Sequence, residues 1–133
     1  MHSVRHLELF SGIGGFRRAF DCLATDLNFT SECVGFSEID ESASTVYKNT
    51  YSTEGELEIG DIVKFTESLN QVNRLKGFDI LTGGFPCQAF SMMGYQKGFE
   101  DERGNLFFNI AKILEIKKPR YILLENVRNL VKH

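Results

Sequence analysis

Five short apolar segments, at residues 4–10, 33–37, 57–59, 78–82 and 121–124, alternate with segments of helical spacing. The helical segments cover 16–27, a stretch capped by Asp40 or Ser42 and running to about 51, then 66–75 and 105–117. This alternation leaves few architectures. Strands joined through helices run parallel with right-handed crossovers, and the helices cover both faces of one sheet. The expected fold is α/β, with a mostly parallel sheet of about five strands in the order 3-2-1-4-5, wound both ways from the first strand. Ligands of such sheets bind at the carboxyl edge, so the residues that follow each strand are the ones to read for function.

At 133 residues, one domain is the natural count. A hydrophobic content of 42% with 12 Phe is enough to bury a core. The three cysteines, Cys22, Cys33 and Cys87, have no paired spacing, which fits a reducing compartment and gives no zinc signature. No metal site is expected. The N-terminus lacks a signal-peptide run and no stretch is long enough to span a bilayer, so a cytoplasmic setting is expected, or a nuclear one in a eukaryotic source. The net charge of -3 does not advertise a nucleic-acid binder, but residues 112–133 carry six Lys or Arg against two Glu. A basic stretch of that kind suits a polyanion. For Lys117 and Lys118 the simpler reading is a helix end that complements the macrodipole.

The fourth strand runs into Gly83-Gly84-Phe85-Pro86-Cys87-Gln88-Ala89-Phe90-Ser91. Two glycines free the backbone and the proline stiffens it, which holds a thiol at the sheet edge. A lone cysteine is more often a small buried hydrophobe. The connection over 83–104 is long for a compact domain, and such loops are usually functional or disordered. Phe10-Ser11-Gly12-Ile13-Gly14-Gly15 follows the first strand and opens a helix, where a ligand can approach the backbone closely. It is not a full dinucleotide fingerprint, because Arg17 takes the third glycine position and a side chain there is expected to hinder helix–strand packing. A simple tight turn is the competing reading. Glu38, after the second strand, can accept both hydroxyl hydrogens of a ribose, or be a solvated strand end. Asp61, after the third, can accept from an amino group such as adenine N6, or cap a helix. Sharing one edge, the three favour an adenosine-containing ligand. Glu125-Asn126 follows the fifth strand; a buried carboxyl there could keep its proton and donate to a ring nitrogen, while the bland role is to tie down a loop.

Taken together, these residues resemble the cytosine-C5 DNA methyltransferases. The segments that carry the resemblance are Leu9-Phe10-Ser11-Gly12-Ile13-Gly14-Gly15, Glu38-Ile39-Asp40, Gly60-Asp61-Ile62, Gly84-Phe85-Pro86-Cys87-Gln88-Ala89-Phe90-Ser91 and Leu124-Glu125-Asn126-Val127, in that order over residues 7–130. The glycine turn is moderately specific, and the Pro-Cys-Gln loop followed by Glu-Asn-Val is highly specific. The resemblance implies a Rossmann-like, S-adenosylmethionine-dependent methyltransferase fold, with S-adenosylhomocysteine as product. It implies that Phe10, Gly12, Ile13, Gly14, Glu38, Ile39, Asp61 and Ile62 bind the cofactor. It makes Cys87 the nucleophile, with Pro86 shaping the pocket beside it. Glu125 meets the N3 and N4 edge of cytosine, Asn126 fixes the loop that carries Cys87, and Gln88 and Ser91 lie near the DNA and the target base. A thiolate adding to C6 makes C5 enamine-like, an acid at N3 stabilises the developing charge, and loss of the C5 proton after methyl transfer expels the thiol. The target base must leave the duplex for this.

In this reading the 133 residues are the N-terminal portion of the cofactor-binding and catalytic domain, cut before the last strands, with the target-recognition region absent. Double-stranded DNA is the partner of the complete enzyme. The exposed edge of the fifth strand is expected to pair with a second copy or with a complementing C-terminal portion. The alternatives are a relative that methylates tRNA and a non-catalytic module for cofactor binding or assembly.

Overall fold

The computed structural model describes residues 2–84 and 106–125. In chain order the elements are β1 (Ser3–Leu9), α1 (Gly15–Leu27), β2 (Thr30–Phe36), α2 (Glu41–Thr50), β3 (Leu57–Glu58), α3 (Ile62–Thr66), α4 (Leu69–Arg74), β4 (Ile80–Gly84), α5 (Leu106–Lys117) and β5 (Tyr121–Glu125). Every strand pair is parallel, and the sheet order is β3-β2-β1-β4-β5, as the alternation requires. Phe10 ends β1 by adopting φ 52. β2 starts three residues before its expected first residue, because polar Thr30, Ser31 and Glu32 pair with Ser3, Val4 and Arg5. The register between β1 and β2 slips by one residue after His6, where β2 carries Gly35. A Cβ there would lie 3.0 Å from the Leu57 carbonyl oxygen, so the neighbouring β3 leaves no room for a side chain.

Helix ends follow local chemistry. Asp40 caps α2 by accepting from the Ser42 and Ala43 amides. The spacing predicts a helix over 66–75; α4 is that helix, shortened at both ends, and α3 forms ahead of it, outside the expected range but for Thr66. Asp61 caps α3 through the Val63 amide, and Ser68 caps α4 through the Gln71 amide, which sets the start of α4. Lys117, expected to complement the end of α5, also reaches across to the carbonyls of Asn73 and Leu75 at the end of α4.

Alternation along β1 assigns its residues to two unlike faces. Leu7 and Leu9, with Leu81 of β4, join Ile62, Phe65, Val72, Ile110 and Ile113 of α3, α4 and α5 in one apolar core. A buried bond from Asn109 Nδ2 to Thr66 Oγ1 (2.7 Å) also ties α5 to α3. The other face carries His6, Glu8 and Thr82, all at most 1% exposed. There His6 stacks on Phe20 of α1 with ring centroids 4.3 Å apart, and Phe36 stacks on Tyr47 of α2 at 4.5 Å. β5 is the edge of the described sheet and leaves Tyr121, Ile122 and Leu123 exposed.

Candidate functional site

The ends of β1, β2 and β3 are stitched together by short polar bonds. The Ser37 amide donates to the Glu8 carbonyl and the Ser11 amide to the Ser37 carbonyl, so the ladder continues past both strands. Ser37 Oγ donates to the Gly60 carbonyl at 3.0 Å. Glu38 closes the arrangement: its Oε1 accepts from the Gly12 amide at 2.8 Å and its Oε2 from the Asp40 amide at 3.0 Å. The glycine turn, Glu38 and the start of α3 therefore share one rigid edge. The turn itself needs left-handed backbone at Gly12 (φ 57) and Gly14 (φ 97). Nothing lies within 4 Å of where a Gly12 Cβ would project, so space is open there.

On the other side of the turn, the β1, β4 and β5 ends and α1 enclose a cleft of about 440 Å³. Glu8, Phe10, Ser11, Gly15, Phe16, Ala19, Gly84 and Glu125 line it. Glu8 is its unusual member. The Tyr47 hydroxyl donates to Glu8 Oε1 at 3.0 Å, whereas the buried Oε2 has no hydrogen-bond partner among the described residues, and neither has Ser11 Oγ. Burial pushes the Glu8 carboxyl up to about 7; the Tyr47 hydroxyl, the nearby Arg17 and Phe16 amides and the Arg17 charge pull the other way without restoring it. Burial and the Arg17 charge push His6 down to about 4, so it is neutral.

Behind the turn, Arg17 is 9% exposed. Its guanidinium grips both Glu56 oxygens at 2.6 Å, and donates to the Tyr47 hydroxyl at 3.1 Å and the Ser52 carbonyl at 3.0 Å. Burial opposes the charge on Arg17, but Glu56 and Tyr47 more than offset it and its pKa is raised. Arg17, expected to hinder close helix–strand packing, is accommodated by placing its guanidinium between α2 and the segment before β3. Burial pushes the Cys33 thiol up to about 12, which makes it inert, while Cys22 is an exposed residue of α1.

Several expected site residues can now be located. Phe10, Gly12, Ile13, Gly14, Glu38, Ile39 and Asp61 lie at the carboxyl edge, with Ile13 and Ile39 strongly exposed. Asp61 uses Oδ1 to cap α3, the alternative weighed for it from sequence. Ile62 is 2% exposed and packs in the apolar core, so its side chain is not brought to the edge. Glu38 and Asp61 do not line the cleft that contains Glu125. Glu125, expected as a buried carboxyl, is exposed at the end of β5. The buried acid of the cleft is Glu8, which sequence reading passed over; its position two residues before the turn was the available signal. Pro86, Cys87, Gln88, Ser91 and Asn126 lie outside the described residues. Among the described residues no helix is long and apolar enough to cross a membrane, and no cluster of three His, Cys, Asp or Glu is placed to hold a metal ion.

Residues 4–133 match the family model of the C-5 cytosine-specific DNA methylases. The type II methyltransferase M.NgoBV of Neisseria gonorrhoeae is 44% identical over 133 residues, which are 100% of this chain and 30% of that protein. The type II methyltransferase M.HhaI of Haemophilus parahaemolyticus is 44% identical over 130 residues, 98% of this chain and 36% of its own length. The orphan methyltransferase M.Rho11sI of Bacillus phage rho11s is 43% identical over 133 residues, which are 25% of that protein. The chain thus spans about a third or less of the relatives' length.

Proposed function

The chain belongs to the C-5 cytosine-specific DNA methylase family, and from that premise we propose that it carries the nucleophile and most of the cofactor half of an enzyme that methylates C5 of cytosine in DNA. The observation that carries the cofactor reading is the Glu38 bridge to the glycine turn. Each Glu38 oxygen accepts one backbone N–H, and a carboxylate oxygen has room for a second hydrogen bond. Glu38 is therefore a pre-aligned acceptor for the two hydroxyl groups of a ribose. Phe10, Gly12, Ile13 and Gly14 form the turn beside it, with open space in front of Gly12, and Ile39 and Asp61 border the adenine side. Ile62 contributes through its position at the start of α3. Glu8 Oε2 and Ser11 Oγ, two buried oxygens without hydrogen-bond partners among the described residues, suit the polar methionine end in the cleft.

Bound there, S-adenosylmethionine supplies an electrophilic methyl group. The protein's own part is nucleophilic. Cys87, next to Pro86, adds its sulfur to C6 of a cytosine taken out of the duplex, and the ring gains electron density at C5. Glu125 hydrogen-bonds the N3 and N4 edge and stabilises the charge that develops there. Asn126 holds the Cys87 loop, and Gln88 and Ser91 contact the DNA side. Double-stranded DNA is the substrate, a cytoplasmic setting suits it, and the exposed β5 edge takes further polypeptide, either more of a longer chain or a second copy.

Calorimetric titration of the full-length protein with S-adenosylhomocysteine tests the cofactor reading. Glu38→Ala should weaken binding roughly 10- to 100-fold, the range of a lost charge-assisted hydrogen bond. Unchanged affinity would reduce Glu38 to a solvated strand end. For the nucleophile, duplex DNA with 5-fluorocytosine should trap an adduct on Cys87, and an adduct on Cys22 or Cys33 would remove that assignment.

A further inference from the structure

We infer that the Arg17–Tyr47–Tyr51 cluster, in which Arg17 and Tyr47 are buried and Tyr51 is half-buried, is a positioning device for the glycine turn, acting on the ligand-binding backbone from behind. The inference rests on the reading of that turn as the cofactor site. The turn is held in front by Glu38, through the Gly12 amide, and behind by Tyr51, whose hydroxyl donates to the Gly14 carbonyl at 3.0 Å. The fit behind is close: a Cβ on Gly14 would come within 2.5 Å of the Tyr51 ring. Tyr51 is in turn held by Arg17, whose guanidinium carbon lies 4.9 Å from its ring centroid and 5.5 Å from that of Tyr47. The Arg17 fork to Glu56 fixes the plane of the guanidinium. The Tyr47 hydroxyl, bonded to both Arg17 and Glu8, links the cluster back to β1.

The composition of the cluster supports a role beyond stability. A buried ion pair can often be replaced by packed apolar residues without loss of stability. What an apolar replacement does not reproduce is direction. A planar fork and two hydroxyl groups set the position of Tyr51, and Tyr51 sets the Gly14 peptide, to within hydrogen-bond tolerance. A turn with left-handed residues at positions 10, 12 and 14 otherwise has several ways to relax. Arg17, Tyr47 and Tyr51 thus keep the backbone of the turn in place without lining the cleft themselves.

The test uses the full-length protein, with S-adenosylhomocysteine binding by calorimetry, steady-state DNA methylation and thermal unfolding measured together. Tyr51→Phe keeps the ring and removes the bond to Gly14. It should raise the Kd and the cofactor KM about fivefold with kcat unchanged, and lower Tm by no more than the few degrees that one net hydrogen bond accounts for. The double variant Arg17→Met with Glu56→Leu replaces the pair by apolar side chains; it should remain folded and lose affinity about tenfold. Wild-type affinity in a folded double variant and in Tyr51→Phe would make the cluster mere filling and overturn the inference. A loss of affinity that appears only in variants partly unfolded at the assay temperature would overturn it equally. If the wild-type protein binds no S-adenosylhomocysteine, the cofactor reading itself fails, a result distinct from either.

Discussion

The two faces of the sheet are buried to the same depth and built from different materials. Leu7, Leu9 and Leu81 meet α3, α4 and α5 in a core of aliphatic and aromatic side chains. His6 and Glu8, alternate residues of β1, meet α1 and α2 in a layer that mixes stacked rings with hydroxyl groups and the Arg17 charge, and Thr82 of β4 is buried on the same face. The apolar face gains stability from area removed from water, which is non-directional and tolerant of small shifts. The polar face gains little net stability for the charges it buries, yet its bonds have direction and act on the backbone of the turn. One side of β1 holds the fold together, and the other side shapes its carboxyl edge.

The comparison breaks most easily at the Arg17 pair. Glu56→Ala leaves a guanidinium buried without its carboxylate and should cost about 3–5 kcal/mol in urea unfolding. A loss under 1 kcal/mol would mean that the polar face is not held by this pair. On the apolar face, Leu81→Ala should cost about 3 kcal/mol through lost transfer energy and a cavity. Product affinity of the folded variant should stay at the wild-type value; a parallel loss of affinity would erase the division of labour. The smallest effect is also the most diagnostic. The folded pKa of Glu8 is raised from 4.5 to about 7, so its contribution to stability falls as pH rises between those values. His6 has its pKa lowered from 6.5 to about 4, so its contribution rises with pH from 4 to 6.5 and partly masks the loss. Glu8→Gln removes only the first term. Relative to wild type it should gain roughly 2 kcal/mol between pH 5 and pH 8. Parallel pH profiles of the two proteins would show that the Glu8 proton is not bound more tightly in the folded state.

The apolar face was legible from sequence because periodicity is its language. The strand pattern and the 3-2-1-4-5 order follow from apolar runs and intervening helical spacing. Glu38 and the glycine turn were legible as strand-end residues, since position along a strand is enough to find an edge. The polar face was not. His6 and Glu8 alternate with Leu7 and Leu9, the pattern of a strand with one solvated side; the parallel order implies helices on both faces, but nothing in the spacing says which side chains of α1 and α2 will meet these two. Arg17 looked like an obstacle because a motif treats its position as a point, whereas a side chain of that length finds its partner 39 residues away at Glu56. Ser68 moved the start of the expected helix to Leu69, and Asp61 started a short helix that the spacing did not predict, because each cap is a local bond that acts apart from the run around it. For Glu125, strand position found the edge correctly, but burial depends on neighbours that a strand pattern does not specify.

The central place of β1 has a consequence for how such a chain comes into being. Its neighbours in the sheet are β2, about 27 residues later, and β4, about 74 residues later, as in the pairing of Ser3 with Thr30 and of His6 with Ile80. A chain made from its N-terminus can close the β1–β2 pair early. The opposite edge of β1 then waits, with its backbone groups unpaired, until residues 80–84 have emerged. At about 5–20 residues per second, that interval lasts several seconds. The same wait exposes Leu7 and Leu9 before Leu81, Ile110 and Ile113 exist to cover them. The strand at the heart of the finished sheet is, during synthesis, its most vulnerable edge.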